Sequence, residues 1–272
     1  MIHPTALVDA GASIGADVSI GPYALVAGDV VVGDGCRIGA HAIVRERSQL
    51  GRAVVVDSFA VIGGAPQSRG TCHGTGWVRI GDGTVLREGV TVNQPTLADG
   101  ATVIGRDCML MANSHVGHDS VVGDTVTLAN CVLLAGHVQI GDRVFLGGGA
   151  GVHQFVRIGQ GAMIGGNASI SYDVPPYAIA AERNSIHGLN LVGIRRQGLP
   201  KAAVADLKRC YHAVFCDTGN LRARAAAALA SSELGTEPPG RAFLEFFASG
   251  KRGFAQVRTR RGTAEPIDDA AC

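Results

Sequence analysis

Aromatic side chains are scarce in this chain: eight Phe, four Tyr and one Trp make up 5% of its 272 residues. An interior built around large rings is therefore excluded, and the core must be assembled from small aliphatic groups. Net charge is nearly absent, at +1, so there is no electrostatic basis for binding nucleic acid or an anionic membrane. No apolar run approaches the roughly 20 residues that cross a bilayer, so no integral membrane segment is expected. The opening MIHPTALVDAG has neither a basic start nor an apolar stretch, so no secretory leader is read there and a cytoplasmic protein is expected. Seven cysteines, at 36, 72, 108, 131, 210, 216 and 272, are odd in number and lack paired metal-type spacing. That usage fits a reducing compartment.

Glycine is plentiful, at 39 residues, and it accompanies a repeat. Every sixth residue from Val8 is aliphatic: Val8, Ile14, Ile20, Val26, Val32, Ile38, Val44, Leu50, Val56 and Ile62. The phase breaks there, returns as Ile80, Leu86 and Val92, breaks again, and then runs without exception from Ile104 to Ile170. Two positions before each aliphatic stands Ala, Val, Ser, Thr or Cys, and the position after it is often glycine. A helix cannot hold this pattern, because the beat is out of register with 3.6 residues per turn and each internal glycine destabilises by about 1 kcal/mol. Hairpin strands would alternate without the longer beat. A short strand followed by a corner, taken by a small residue or a glycine with permissive dihedrals, makes one side of a triangular prism. Three sides form an 18-residue coil, and stacked coils bury one aliphatic per side in a continuous column. The expected fold class is mainly β and resembles the left-handed parallel β-helix of hexapeptide-repeat acyltransferases.

The β-helix is expected over 1–175, with polar loops rich in Gly and Pro thrown out at 64–79 and 93–101. Such loops are either tolerated insertions or binding elements on a rigid scaffold. After Ile170 the proline-bearing exit YDVPPYAIA cannot continue as a regular strand. Apolar spacing in KAAVADLKRCYHAVF, in LRARAAAALASSEL and in GRAFLEFF then predicts a C-terminal helical subdomain over 176–250. The segment 251–272 has no periodicity and is expected to fray.

Residues 18 apart stack one above another, separated by roughly the 4.7–4.9 Å inter-strand spacing. His118, Gly136 and Gln154 then share a column, Asp119, His137 and Phe155 the next, and Gly117, Ala135 and His153 the one on the other side. Three histidines climb successive coils at one corner. Two chemistries are compatible with that corner. Three imidazoles can bind zinc, and γ-class carbonic anhydrases place three histidines on a trimeric prism, although with a spacing unlike the HVGH found here. Alternatively, a histidine beside an acid that sets its tautomer can serve as a general base.

The order of MIHPTALVDAGASIGADVSIGPYALV, NSHVGHDSVVGD, LAGHVQIGD, AGVHQFVRIG, DVPPYAIA and GLNLVGIRRQGL resembles the acyl-carrier-protein:UDP-N-acetylglucosamine O-acyltransferases over residues 1 to about 250. The resemblance implies transfer of a fatty acyl chain, usually 3-hydroxylated, from acyl carrier protein to the sugar 3-hydroxyl, the first step of lipid A biosynthesis. It implies His118 as general base, Asp119 as its support, and the Gly136 N–H as oxyanion donor. His115, His137, His153, Gln154 and Gln67 would line the substrate pocket, and Asn190 and Arg196 fall at nucleotide-contacting positions. Gly166 matches the position that limits acyl length, and a glycine there implies a longer chain. The family works as a homotrimer on acyl carrier protein and a UDP-sugar, without a metal or other cofactor. Departures lie in the loops: Ser68 and Gly70 replace an acid and a lysine, NQPT (Asn93–Thr96) replaces HRGT, and Val192 and Gln197 replace an acid and an arginine. Those changes leave open a paralogue that acylates a different or amino nucleotide sugar. Two other classes stay in view, a zinc-dependent hydratase and a catalytically idle scaffold.

Overall fold

The computed structural model describes residues 1–69, 76–216 and 219–257. Among the described residues, three sheets of nine, eight and eleven strands build a triangular prism, and their strands are parallel except where Ser185–Leu189 runs back along Ala178–Ala181. Most strands are two residues long, such as Leu133–Leu134 and Gly151–Val152. Leu7 pairs with Leu25 and Leu25 with Ile43, so each coil is 18 residues. Leu50 pairs with Ile80 and Ile80 with Ile104. These coils exceed 18 residues by 12 and by 6, and that excess, a multiple of the six-residue side each time, is thrown out in the two loops. That is why the aliphatic beat resumes in phase after each loop. The loops are shorter than expected, because Val61–Gly64, Trp77–Ile80, Thr91–Asn93 and Ala101–Ile104 are strands.

The beat residues form the core. Val116, Leu134, Leu110, Leu128 and Leu146 are fully buried, and each such side chain stabilises by about 1.5–3 kcal/mol through removal from water. Val8 and Ile14 at the open end are only partly buried. The corners depart from expectation. The residues there with left-handed backbone are mostly not glycine: Asp107, Thr125 and Arg143 mark one corner, Asn113 and Cys131 a second, Asp119, His137 and Phe155 a third. Glycine instead follows the buried aliphatic because the next coil passes too close for a Cβ, which at Gly141 would lie 2.5 Å from Gln160 N. At the first corner Asp34, Asp82, Asp124 and Asp142 each cap a backbone N–H of the coil before. Asp124 Oδ1 accepts from Arg106 N at 2.8 Å, and Asp142 Oδ1 from Asp124 N at 2.9 Å.

Ala178–Ala181 still pairs in parallel with Met163–Ile164, so the stacked sheet runs past 175 before it turns back through Ser185–Leu189. Four helices follow: α1 (Leu191–Arg196), α2 (Lys201–Phe215), α3 (Leu221–Ala230) and α4 (Pro238–Glu245). Helix α3 starts where the Asn220 side chain accepts from the N–H groups of Arg222 and Ala223, and α4 opens on two prolines, which suit a first turn. Leu207, Tyr211, Phe243 and Phe247 form the small helical core. No helix among the described residues is long and apolar enough to cross a membrane.

The fraying expected from Lys251 does not begin there. Asp173 N donates to the Gly253 carbonyl at 2.8 Å, Phe254 and Ala255 are buried, and Gln256–Val257 pairs with Ser185–Ile186. Hydrogen bonds to the prism exit hold a segment whose sequence carries no period. Residues 258–272 of the expected tail lie outside the described residues.

Candidate active site

The third corner gathers the titratable side chains that the sequence singled out. Coil stacking brings the His118 and His137 rings to 5.1 Å, edge to face, and stacks His137 on Phe155 at 4.6 Å. His118 Nδ1 lies 2.8 Å from Asp119 Oδ2. A carboxylate only accepts, so Nδ1 bears the proton and Nε2 keeps a lone pair. The contact between adjacent residues exists because Asp119 takes the left-handed conformation, φ 59°, which swings its side chain back toward the preceding one. The Asp119 backbone N–H donates to Thr102 Oγ1 at 2.9 Å.

Asp119 has further partners that column arithmetic does not reach. Thr96 donates its hydroxyl to Oδ2 at 2.8 Å and its backbone N–H to the same oxygen at 3.1 Å. Burial pushes the Asp119 carboxyl up, but the bonds from His118 and Thr96 outweigh it and hold the group below its ordinary value. Asp119 is therefore a half-buried, aimed anion next to His118. His137 Nε2 stands 3.7 Å from the same carboxylate. Burial pushes the His137 ring down, a shift that Asp119 opposes and His118 and Lys251 reinforce. His115 lies on a strand with Nδ1 at 2.8 Å from Thr91 Oγ1, and burial, then the neighbouring His118, lowers it.

Gly136 is buried, and the His118 ring lies against it: an added Cβ would sit 2.5 Å from Nε2. At the equivalent place on the first corner an aspartate takes the N–H. Here Gln154 occupies the coil above, and the Gly136 N–H bonds to no described residue. A donor without a described partner thus belongs to the residue against which the imidazole packs.

His153 and Gln154 are exposed one coil further on, and both meet the C-terminal segment through Arg252. The remaining expected site residues lie elsewhere on this chain. Gln67 is exposed on the first loop, and Gly70 of that loop lies outside the described residues. Asn190 caps α1: its side chain accepts from Gly193 N at 2.9 Å and donates to the Gly161 carbonyl at 3.0 Å. That carbonyl belongs to the first corner, and Arg196 is exposed at the far end of the same short helix. Gly166 is exposed beside the second corner, where a Cβ would meet only Gly148 backbone, at 3.3 Å from its oxygen. In the diverged second loop, Asn93 donates to the Ala65 carbonyl at 2.9 Å and Gln94 to the Glu46 carbonyl at 2.7 Å. Asn93 thus ties the second loop to the first, and Gln94 ties it to the prism.

Thr96, Thr102 and Arg252 are the polar partners that sequence reasoning missed. The first two sit where a loop interrupts the beat, and Arg252 is 99 residues from His153. Only the T ending NQPT, held in common with HRGT, offered a sign. The buried thiols do not enter the site: burial raises Cys108, whose Sγ points at the Gly123 carbonyl, 3.1 Å away.

A hexapeptide prism with an imidazole–carboxylate pair and an open N–H at one corner, followed by a helical unit, defines a hexapeptide-repeat acyltransferase. Bacterial transferase hexapeptide models match residues 11–46 and 101–136, the hexapeptide repeat of succinyl-transferase matches 137–172, and domain 2 of UDP N-acetylglucosamine O-acyltransferase matches 173–255. The acyl-(acyl-carrier-protein)–UDP-N-acetylglucosamine O-acyltransferase of Sinorhizobium fredii is 40% identical over 91% of this chain and 92% of its own. That of Agrobacterium fabrum is 42% identical over 83% and 84%. The solved Acinetobacter baumannii LpxA, 34% identical, superposes with a TM-score of 0.89 over 94% of this chain and 99% of its own, and shares the left-handed β-helix. The chain belongs to the acyl-(acyl-carrier-protein)–UDP-N-acetylglucosamine O-acyltransferase family.

Proposed function

We propose that this protein moves a fatty acyl chain, 3-hydroxylated as in the family pattern, from acyl carrier protein to the 3-hydroxyl of UDP-N-acetylglucosamine, the first step of lipid A biosynthesis. The observation that carries the mechanism is the His118–Asp119 pair, closed at 2.8 Å on Nδ1, with the ring packed against Gly136, whose N–H bonds to no described residue. Nε2 takes the proton of the sugar hydroxyl as its oxygen attacks the thioester carbonyl. Asp119 stabilises the resulting imidazolium and fixes its orientation. Negative charge on the tetrahedral oxygen is met by the Gly136 N–H, a kind of donor whose loss costs roughly 2.7–4 kcal/mol in comparable sites. Collapse of that intermediate expels the carrier thiolate, which takes the proton from His118. Base and oxyanion donor both come from the chain, so the reaction needs no cofactor, and no cysteine nucleophile is called for.

His115, His137, His153, Gln154 and Gln67 are assigned to substrate contacts, with Asn190 and Arg196 to the nucleotide and Gly166 to the end of the acyl groove. The three groups lie at three different corners of one chain. That separation supports a homotrimer in which the corner of one copy faces another corner of its neighbour. We take the organisation to be a β-helix acyltransferase domain, a helical subdomain and a C-terminal segment, with the protein acting in the cytoplasm.

O-acylation is favoured over an amine acceptor because the relatives that span the chain are O-acyltransferases and the changes at Asn93 and Gln94 are absorbed in loop anchoring. His118, Asp119 and His137 offer ligand atoms within 4.8 Å of one another, the one grouping that resembles a metal site among the described residues. A hydratase fits it poorly, because Thr96 and His118 already occupy the carboxylate. The test is His118→Ala, for which transfer from acyl carrier protein to UDP-N-acetylglucosamine should fall by roughly 10²–10⁴ with the assembly still folded. Full activity in that variant would remove the base assignment.

A further inference from the structure

The segment after α4 returns to the prism and ends against the histidine corner. It is held on both sides of Arg252. Before it, Arg157 donates to the Ser249 hydroxyl and carbonyl, each at 2.8 Å, and Arg222 to the Gly250 carbonyl at 2.9 Å. After it, Phe254 packs on Phe247 at 4.7 Å, and Ala255 N donates to the Asp173 carbonyl at 2.9 Å. Between these anchors, Lys251 lies over the Phe155 ring at 5.2 Å. Arg252 donates from Nε to the Gln154 carbonyl at 3.1 Å, and its Nη2 stands 2.7 Å from His153 Nδ1.

A guanidinium has donors and no acceptor. His153 Nδ1 must therefore accept from Arg252, which puts the ring proton on Nε2. This is the opposite tautomer to His118, whose Nδ1–H is spent on Asp119. The arrangement also contains its own alternative. The Gln154 carbonyl is 3.3 Å from His153 Nδ1, so without Arg252 that nitrogen could bear the proton and donate to the carbonyl. Nε2 would then become an acceptor. We infer that Arg252 is a positioning residue of the active site, fixing His153 as an Nε2–H hydrogen-bond donor for an acceptor oxygen of the substrate. The two exposed sides of the corner thereby have opposite polarity. His118 receives a proton, and His153 offers a hydrogen bond to a phosphoryl or carbonyl oxygen and is unable to compete as a base.

The inference rests on the acyl-transfer reading, and one arm of its test is independent of it. Ring nitrogen NMR shifts of His153 in the full-length protein report the tautomer. Wild type should show a single Nε2–H form, and Arg252→Met should move His153 toward the Nδ1–H form. In the transfer assay, Arg252→Met should lower kcat/KM by about tenfold or more, equivalent to ~1.4 kcal/mol, through a higher KM for one of the two substrates. Arg252→Lys, which keeps a cationic donor, should recover part of the loss. Arg252→Met combined with His153→Ala should be no worse than His153→Ala alone, since the two act through one contact. Thermal melting of each variant checks that the fold is retained. Wild-type His153 in the Nδ1–H form, or a tautomer unchanged in Arg252→Met, overturns the inference. So does unchanged kcat/KM for both substrates in that variant. Failure of the wild-type protein to transfer at all would instead overturn the proposed reaction and leave the tautomer result standing.

Discussion

Replacing Gly136 with alanine should disable the base while leaving the backbone N–H in place. The added Cβ would lie 2.5 Å from His118 Nε2 and 2.9 Å from Nδ1, inside van der Waals contact across one face of the imidazole. The ring has to move away, and its one described side-chain hydrogen bond is to Asp119, at 2.8 Å from Nδ1. A displacement near an ångström breaks that bond and takes Nε2 off its line to the acceptor hydroxyl. The loss should approach the full value of general base catalysis, so kcat should fall by roughly 10²–10³. Stability should change little by comparison. Overpacking destabilises by about 1–3 kcal/mol, and the alanine recovers about 0.4–1 kcal/mol by restricting the unfolded chain. The assay is transfer of a labelled acyl group from acyl carrier protein to UDP-N-acetylglucosamine across a pH series, with thermal melting alongside. A large fall in kcat and a small fall in melting temperature are expected. A variant that keeps kcat within about threefold with the same pH profile would refute that expectation, because the ring would then have room that the structure denies.

Thr96→Val removes one of the two donors that Thr96 gives Asp119 and retains the backbone N–H; kcat should fall a few-fold to about tenfold, as one lost hydrogen bond of ~1 kcal/mol implies, with Thr96→Ser near wild type. Gly166→Met should fold, since position 166 is exposed and a Cβ there meets only the Gly148 backbone. The acyl chain preferred in a competition among acyl-carrier-protein thioesters should then become shorter, and an unchanged preference would place the length limit elsewhere. The lowered His115 and His137 make stability pH-dependent, and the sign follows from proton binding. Both rings bind protons more weakly folded than unfolded, so their contribution is complete above the ordinary histidine value of about 6.5 and is lost as pH falls through the folded values. Denaturant midpoints should therefore drop between about pH 7.5 and about pH 5, and His115→Gln should flatten that drop.

Much of the fold could be read from residues alone because a six-residue side allows a single partner distance. Once the beat is known, 18-residue stacking follows, and with it the meeting of His118, Gly136 and His137. The loops were legible as interruptions, but a loop that leaves the prism has no column, so Thr96 could not be assigned to Asp119. The aliphatic beat also said nothing about which residues turn the corners. There a stacked coil tolerates left-handed Asp, His and Phe, while glycine is demanded by the close passage of the next coil.

What the sequence by itself determined is therefore the periodic part: the prism, its buried column, and the coil-to-coil neighbours of the histidine corner. Those contacts are local once the repeat is counted, since hydrogen-bonded strands keep a constant register. Tertiary structure alone decided the aperiodic contacts. Asn190 proved to cap a helix at another corner, and Thr96 to clamp the carboxylate. Arg252, 99 residues from His153, closed over that ring. Side chains on loops and tails are positioned by the surfaces they fold back onto, and no spacing along the chain encodes that.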